Sequence, residues 1–227
     1  DQIIGHLLHD ATQIEAREKP LAKPKPEPKV KRRRGRPRTG EERPPQPETA
    51  LEKQQHQTLD EMLATIPKAC DVGSKRNSQG HTESWIGYKL HISTAEGDIP
   101  IAALLSSAST HDSQVALPLM NLCNQRVTSL YDLADSGYCS GIIREESRKL
   151  GHVPLIDHNP RRGEKIEFLP HEAERYKART GVERTNSDLK DNHGGRHVRV
   201  RGAAKVYAHL MYGILVIAAE QLLRLLN

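Results

Sequence analysis

Aromatic residues are scarce in this 227-residue chain, with one Trp, one Phe and six Tyr. Trp85 and Phe168 stand alone, so a stacking platform for bases swung out of a duplex is poorly supplied. Trp85 reads as a core residue instead. Cysteine is nearly as rare. Cys70, Cys123 and Cys139 are odd in number and far apart, without Cys-x2-Cys spacing. That excludes a disulfide framework and a zinc ribbon, and it fits a reducing cytoplasm. The twelve His are scattered with no metal-ligand spacing. Long apolar runs are missing too. The longest uncharged stretch near the C-terminus, Leu210–Ala219, is too short to cross a bilayer and reads as a buried helix. No signal peptide is visible.

Charge is unevenly spread. Residues 17–43 hold twelve Lys/Arg and four Glu, a net +8 against +5 for the whole chain, so the remainder is close to −3. Eight of the fourteen prolines fall between Pro20 and Pro47. Such a segment cannot bury a core and reads as a flexible basic Pro-rich linker. Inside it, Arg34-Gly35-Arg36-Pro37-Arg38 has the form of an AT-hook core, thin enough for a narrow A·T minor groove. A generic basic tail contacting phosphates is the other reading of the same residues.

The folded pattern predicts an α/β protein. Residues 3–9, IIGHLLH, form an apolar run that reads as a central strand ending at Asp10. Leu51–Met62 offers a helix. Alternation across Trp85–Ile92 and the turn Glu96-Gly97-Asp98 predict a hairpin with Ile99–Leu105. A helix over His111–Arg126 follows, with Thr110 or Asp112 as cap, then a strand over Val127–Asp135. Ser140–Leu150 reads as a helix stopped by Gly151, Val153–Asp157 as an edge strand because of Pro154, and Pro170–Asn192 and Ala203–Leu226 as helices. The expected organisation is a first strand in 1–15, a linker over 16–70 and the rest of the domain in 71–227.

The stretch EAERYKARTGVERTNSDLK contains Tyr176, Arg179, Glu183 and Lys190, spaced Tyr-x2-Arg-x3-Glu-x6-Lys. At ~100° per residue these fall within an arc of about 60°, while Ala178, Val182 and Leu189 face an adjoining side. A carboxylate between two cations and a phenol suits a metal ion beside a phosphate backbone; a surface helix laced with ion pairs is the blander reading. This spacing resembles the signature of a large group of bacterial insertion-sequence DDE transposases. CDVGSKRNSQG, ESWIGYKLHIS, SASTHDSQVALPL, LYDLADSGY, LGHVPLIDHNPRRG and GGRHVRVRGAAKVYAHLMYGIL look like further blocks of its catalytic domain. The resemblance covers nearly all of residues 5–227.

It implies an RNase H-like mixed sheet flanked by helices, with the disordered basic Pro-rich insertion after the first strand. It also implies metal-dependent cleavage and strand transfer of double-stranded DNA, transposon ends and target alike. Two Mg²⁺ ions, with Mn²⁺ as an alternative, would serve the attacking and leaving oxygens, and hard cations ask for carboxylates. The residues matching the family's acidic positions are Asp10 in HDAT, Asp135 in LADSGY and Glu183, as catalytic groups and metal ligands. Asp132 is the rival for the second position. Tyr176, Arg179 and Lys190 match residues that hold end phosphates near the metal. Arg196, Arg199 and Arg201, with Lys205, could extend the DNA track or line a solvated edge strand.

The resemblance further implies a homodimer when two ends are paired, no membrane, and a cytoplasmic, nucleoid-associated protein of bacteria. Family members carry an N-terminal domain ahead of the first strand, so the chain reads as truncated. A catalytically inactive DNA-binding remnant with an AT-hook-like segment is the alternative function.

Overall fold

The structure is a computed structural model that describes residues 3–22, 47–76, 79–160 and 164–226. Arg34, Gly35, Arg36, Pro37 and Arg38, the AT-hook-like residues, lie outside the described residues.

One mixed sheet organises the chain. Strand β1 (Ile3–Glu15) lies in the middle, antiparallel to β3 (Thr82–Ala95) on one side and parallel to β5 (Thr128–Ala134) on the other. Beyond β3 comes β4 (Ile99–Ser107), antiparallel, and beyond β5 comes β6 (Val153–Ile156), parallel. The order β4-β3-β1-β5-β6, with only β3 reversed, is the topology of an RNase H-like sheet. The consecutive antiparallel strands β3 and β4 are joined by a tight turn, and the consecutive parallel strands β5 and β6 by a helical crossover. Crossover α4 (Gly141–Lys149) ends at Leu150–Gly151, where Gly151 takes φ 88°. Only a residue without Cβ reverses the chain there at no steric cost.

Strand alternation divides the apolar residues between two faces. Leu8, Leu90, Ile92, Leu105 and Leu133 face α6 (Thr180–Asp191) and α7 (Ala203–Leu226), meeting Val182, Leu189, Val206, Leu210 and Ile217. Leu7, Ala102 and Leu104 face α3 (Ser113–Asn124), through Val115, Leu119 and Cys123. Ala134 and Ile156 meet Leu117 and Met120 of α3 and Ile143 of α4. Each side chain fully withdrawn from water contributes roughly 1.5–3 kcal/mol. Trp85 is buried, as expected.

Four differences from the sequence expectation have physical causes. First, β1 does not stop at residue 9. Its parallel ladder with β5 ends at His9↔Ala134, but the antiparallel ladder with β3 runs on to Glu15↔Gly87. Asp10 therefore sits inside a strand, just past the end of the parallel pairing, and not at a strand terminus. Second, DVGSKR forms β2 (Asp71–Arg76), which pairs with residues 82–87 of β3. At Gly87, φ is 151° and a Cβ would lie 2.1 Å from the Ile14 carbonyl oxygen, so glycine alone fits there. Third, the helix expected over Leu51–Met62, within the stretch whose remainder reads as linker, is two short helices, α1 (Ala50–Gln54) and α2 (Leu59–Thr65). Both begin in a capping box, Thr49 with Glu52 and Thr58 with Glu61. Met62 of α2 and, partly buried, Leu51 of α1 pack them onto α3. Fourth, α7 is not buried all round. Val206, Leu210 and Ile217 are fully enclosed, yet Tyr212, Leu215, Val216, Leu222, Leu223, Leu225 and Leu226 are exposed. By length and composition it is a helix that could cross a membrane, but its inner face is committed to the sheet.

Candidate active site

The expected signature helix is built in three pieces. Helix α5 (Pro170–Tyr176) passes through a 3-10 turn at Lys177–Arg179 into α6. At about three residues per turn the 3-10 geometry brings Tyr176 and Arg179 nearly into line. Helix α6 lies close on the sheet because of Gly181, where a Cβ would sit 2.8 Å from Leu8 Cδ1. Val182 and Leu189 are fully buried beneath it, which turns Arg179 and Glu183 toward β1 and β5.

Arg179 is the hub. Its Nη2 lies 3.3 Å from Asp10 Oδ1 and 3.9 Å from Asp135 Oδ2, and its Nη1 donates to Glu183 Oε1 at 2.5 Å. Three carboxylates from β1, the end of β5 and α6 thus converge on one guanidinium. Asp10 is the most enclosed of them, and Asn186 Nδ2 donates to its Oδ2 at 2.9 Å. Asp135 is held by the Gly137 amide, which donates to Oδ1 at 2.9 Å.

Electrostatics follow from this crowding. Burial pushes the Asp10 carboxyl up to about 6; Arg179 opposes the rise, and Asp135 and Glu183 add to it. Asp135 is raised as well, first by burial, with Arg179 opposing and Asp112 and Asp157 contributing. Acids this close cannot all ionise cheaply without a cation among them.

The other signature residues surround the trio. The Tyr176 hydroxyl donates to the Ala134 carbonyl at 3.1 Å, beside Asp135, and its ring packs on Phe168. Burial raises this phenol to about 12. Lys190 is half-buried and lowered, first by burial, then by Lys75 and Arg196. Arg196 pairs with Asp191, and Arg199 and Arg201 are exposed in a segment outside the sheet, so the edge-strand reading does not hold.

Asp132, the rival for the second acidic position, is bound elsewhere. It is 1% exposed, and its carboxylate accepts from Ser147 Oγ at 2.6 Å and meets His152 at 2.9 Å and His9 at 3.2 Å. Burial alone would raise it, but the hydrogen bonds from His152 and His9 outweigh that and hold it below the usual carboxylate range. By strand alternation His9 and Asp10 point to opposite faces. Asp132 therefore braces the sheet behind the acids and does not join them.

Sequence reading missed Asn186. It stands three residues after Glu183 and seven after Arg179, so helical periodicity alone puts it on their face. Its Oδ1 is buried without a hydrogen-bond partner, as is Arg179 Nε. Three carboxylates, with the orphan amide oxygen of the residue that holds Asp10, supply the oxygen donors that hard divalent cations take. The Arg179 guanidinium supplies positive charge among them here. The trio is wider than a closed cage. Among the described residues, the group of three donors within 4.8 Å of one another is Asp188, His193 and Glu220, between α6 and α7.

Carboxylates gathered at the β1–β5 junction of an RNase H-like sheet define a nuclease-type class. The transposase DDE domain family matches residues 2–218, and the chain belongs to it. It is an enzyme of DNA transposition: it cleaves DNA and transfers strands, with DNA as substrate and divalent metal in use. No curated protein matches the chain at a significant level. Among solved structures, the catalytic core domain of BIV integrase is similar over 63% of this chain and 80% of its own, with 19% identity and a TM-score of 0.40.

Proposed function

We propose that Asp10, Asp135 and Glu183 are the catalytic carboxylates and would hold two divalent cations, Mg²⁺ with Mn²⁺ as an alternative. The observation that carries this reading is their convergence on the Arg179 guanidinium. When bound, such ions activate an oxygen nucleophile and stabilise the departing oxygen in line across phosphorus.

The chain's own residues supply the rest. Asn186 orients Asp10 through its amide. The Gly137 amide fixes one oxygen of Asp135 and leaves the other facing Arg179. Tyr176 anchors the backbone just before Asp135, and in this reading its ring edge guides the transposon end. Arg179 neutralises the acids in the resting protein. Once they have other partners, its planar fork is free to take a phosphate by two parallel hydrogen bonds. Lys190, lowered by burial and cationic neighbours, gains by approaching a phosphate.

Arg196, Arg199 and Arg201 extend this positive track, and the Arg34–Arg38 segment contacts the A·T minor groove. Two copies act together when two ends are paired, at DNA in the bacterial cytoplasm. The decisive test is Mg²⁺-dependent nicking of an end-containing duplex, with Asp135→Asn as control. Nicking by the wild-type chain that disappears in the variant supports the reading. A wild-type chain that binds DNA but never nicks it sinks the reading and leaves a DNA-binding remnant.

A further inference from the structure

Helix α7 carries two apolar stripes. The inner one, through Val206, Leu210 and Ile217, closes the core. The outer one runs through Ala208, Tyr212, Leu215, Ala219, Leu222 and Leu226, at steps of four, three, four, three and four residues, with Val216 and Leu223 beside it. Its large members are open to solvent: Tyr212 is 72% exposed, Leu215 65%, Leu222 51% and Leu226 82%. Alternating steps of three and four are the heptad seam by which one helix receives another.

We propose that this outer stripe is a self-association surface, where α7 of one copy packs against α7 of a second. The inference rests on the pairing of two copies proposed above and names the face that makes it. Three observations select a second copy as occupant. Together the exposed side chains offer on the order of 800 Å² per copy, the size a stable two-protein interface buries on each partner. The seam contains no charged residue, and between residues 206 and 226 only Glu220 and Arg224 are charged, so like-charge repulsion does not oppose a two-fold contact. A bilayer is a poorer occupant. Passing α7 through one would strip Val206, Leu210 and Ile217, all fully buried, from the sheet. Because α7 packs beside α6, which carries Glu183, the contact would hold two acidic centres in a fixed relation.

Sedimentation velocity of the full chain tests this, without DNA and metal, between roughly 1 and 100 μM. The wild-type chain is expected to dimerise. Leu215→Lys with Leu222→Lys should raise the dissociation constant at least tenfold while far-UV circular dichroism stays unchanged. The milder Leu222→Gln should weaken it less, guarding against a folding defect. A wild-type dimer that neither variant weakens overturns the α7 seam but spares pairing. A wild-type chain that stays monomeric with and without end DNA overturns both. A monomer that co-sediments with phosphatidylcholine–phosphatidylglycerol vesicles overturns the seam in favour of lipid.

Discussion

Arg179 and Asp10, 169 positions apart in the chain, meet with Nη2 3.3 Å from Oδ1. The same guanidinium reaches Asp135 and Glu183. An arginine at the centre of three carboxylates acts as a built-in counter-ion.

Removing that counter-ion should expose the repulsion it offsets. Arg179→Ala is expected to lower metal-free stability by ~1–3 kcal/mol, and millimolar Mg²⁺ should restore more melting temperature in the variant than in the wild type. Differential scanning fluorimetry with and without Mg²⁺ measures this. Equal metal responses would contradict the counter-ion role.

Asp10 makes metal-free stability depend on pH. Its folded carboxyl is raised from 3.8 to about 6, so the folded state binds more protons across that window. The associated stability is present below about pH 4 and is lost as pH rises through about 6. Asp10→Asn, which cannot ionise, should therefore melt several degrees above the wild type at pH 7.5 and level with it near pH 4. A variant less stable at pH 7.5 would show that the contact with Arg179 outweighs the burial of charge.

Asp132 and Asp135 should separate cleanly. Asp132→Asn removes the charge on which His9, His152 and Ser147 converge and is expected to cost ~3–5 kcal/mol in urea unfolding. The wild-type contribution, from a depressed carboxyl, is present above the unfolded value near 4 and fades on acidification. Asp135→Asn should cost about 1 kcal/mol or less and yet abolish nicking. A reversed pattern would make Asp132 the functional acid.

Lys190 and Glu183 share a helix but should fail differently. Lys190→Ala is expected to weaken binding to end DNA and reduce the slope of log K against log salt by roughly one phosphate contact. Glu183→Gln should bind normally and lose cleavage by at least ~10²-fold. Fluorescence anisotropy across a salt series, run beside the nicking assay, resolves the two. Loss of binding in both would merge their roles.

Much of the fold was legible because its signals are local. Alternation marked the β3–β4 hairpin, Gly151 marked the end of α4, and Pro154 marked an edge strand. The gathering of Arg179 and Glu183 on one face followed from helical spacing, even though a 3-10 turn interrupts the helix at Lys177–Arg179. What escaped depends on distant partners. Strand β2 has an exposed Val72 and little apolar alternation, so only the unpaired first half of β3 calls it into the sheet. Strand β1 runs past Asp10 because β3 remains beside it. The outer face of α7 was hidden because apolar composition does not say how many sides a core will cover.

The backbone bond from the Leu21 amide to the Cys70 carbonyl, 3.0 Å long, joins the chain where it leaves β1 to where it enters β2. Of the residues between, α1 and α2 belong to the core through Met62 and Ile66, whereas lengthening the basic stretch ahead of them costs only logarithmically. A basic cassette of altogether different size could be spliced in there, and the catalytic platform would hardly register the exchange.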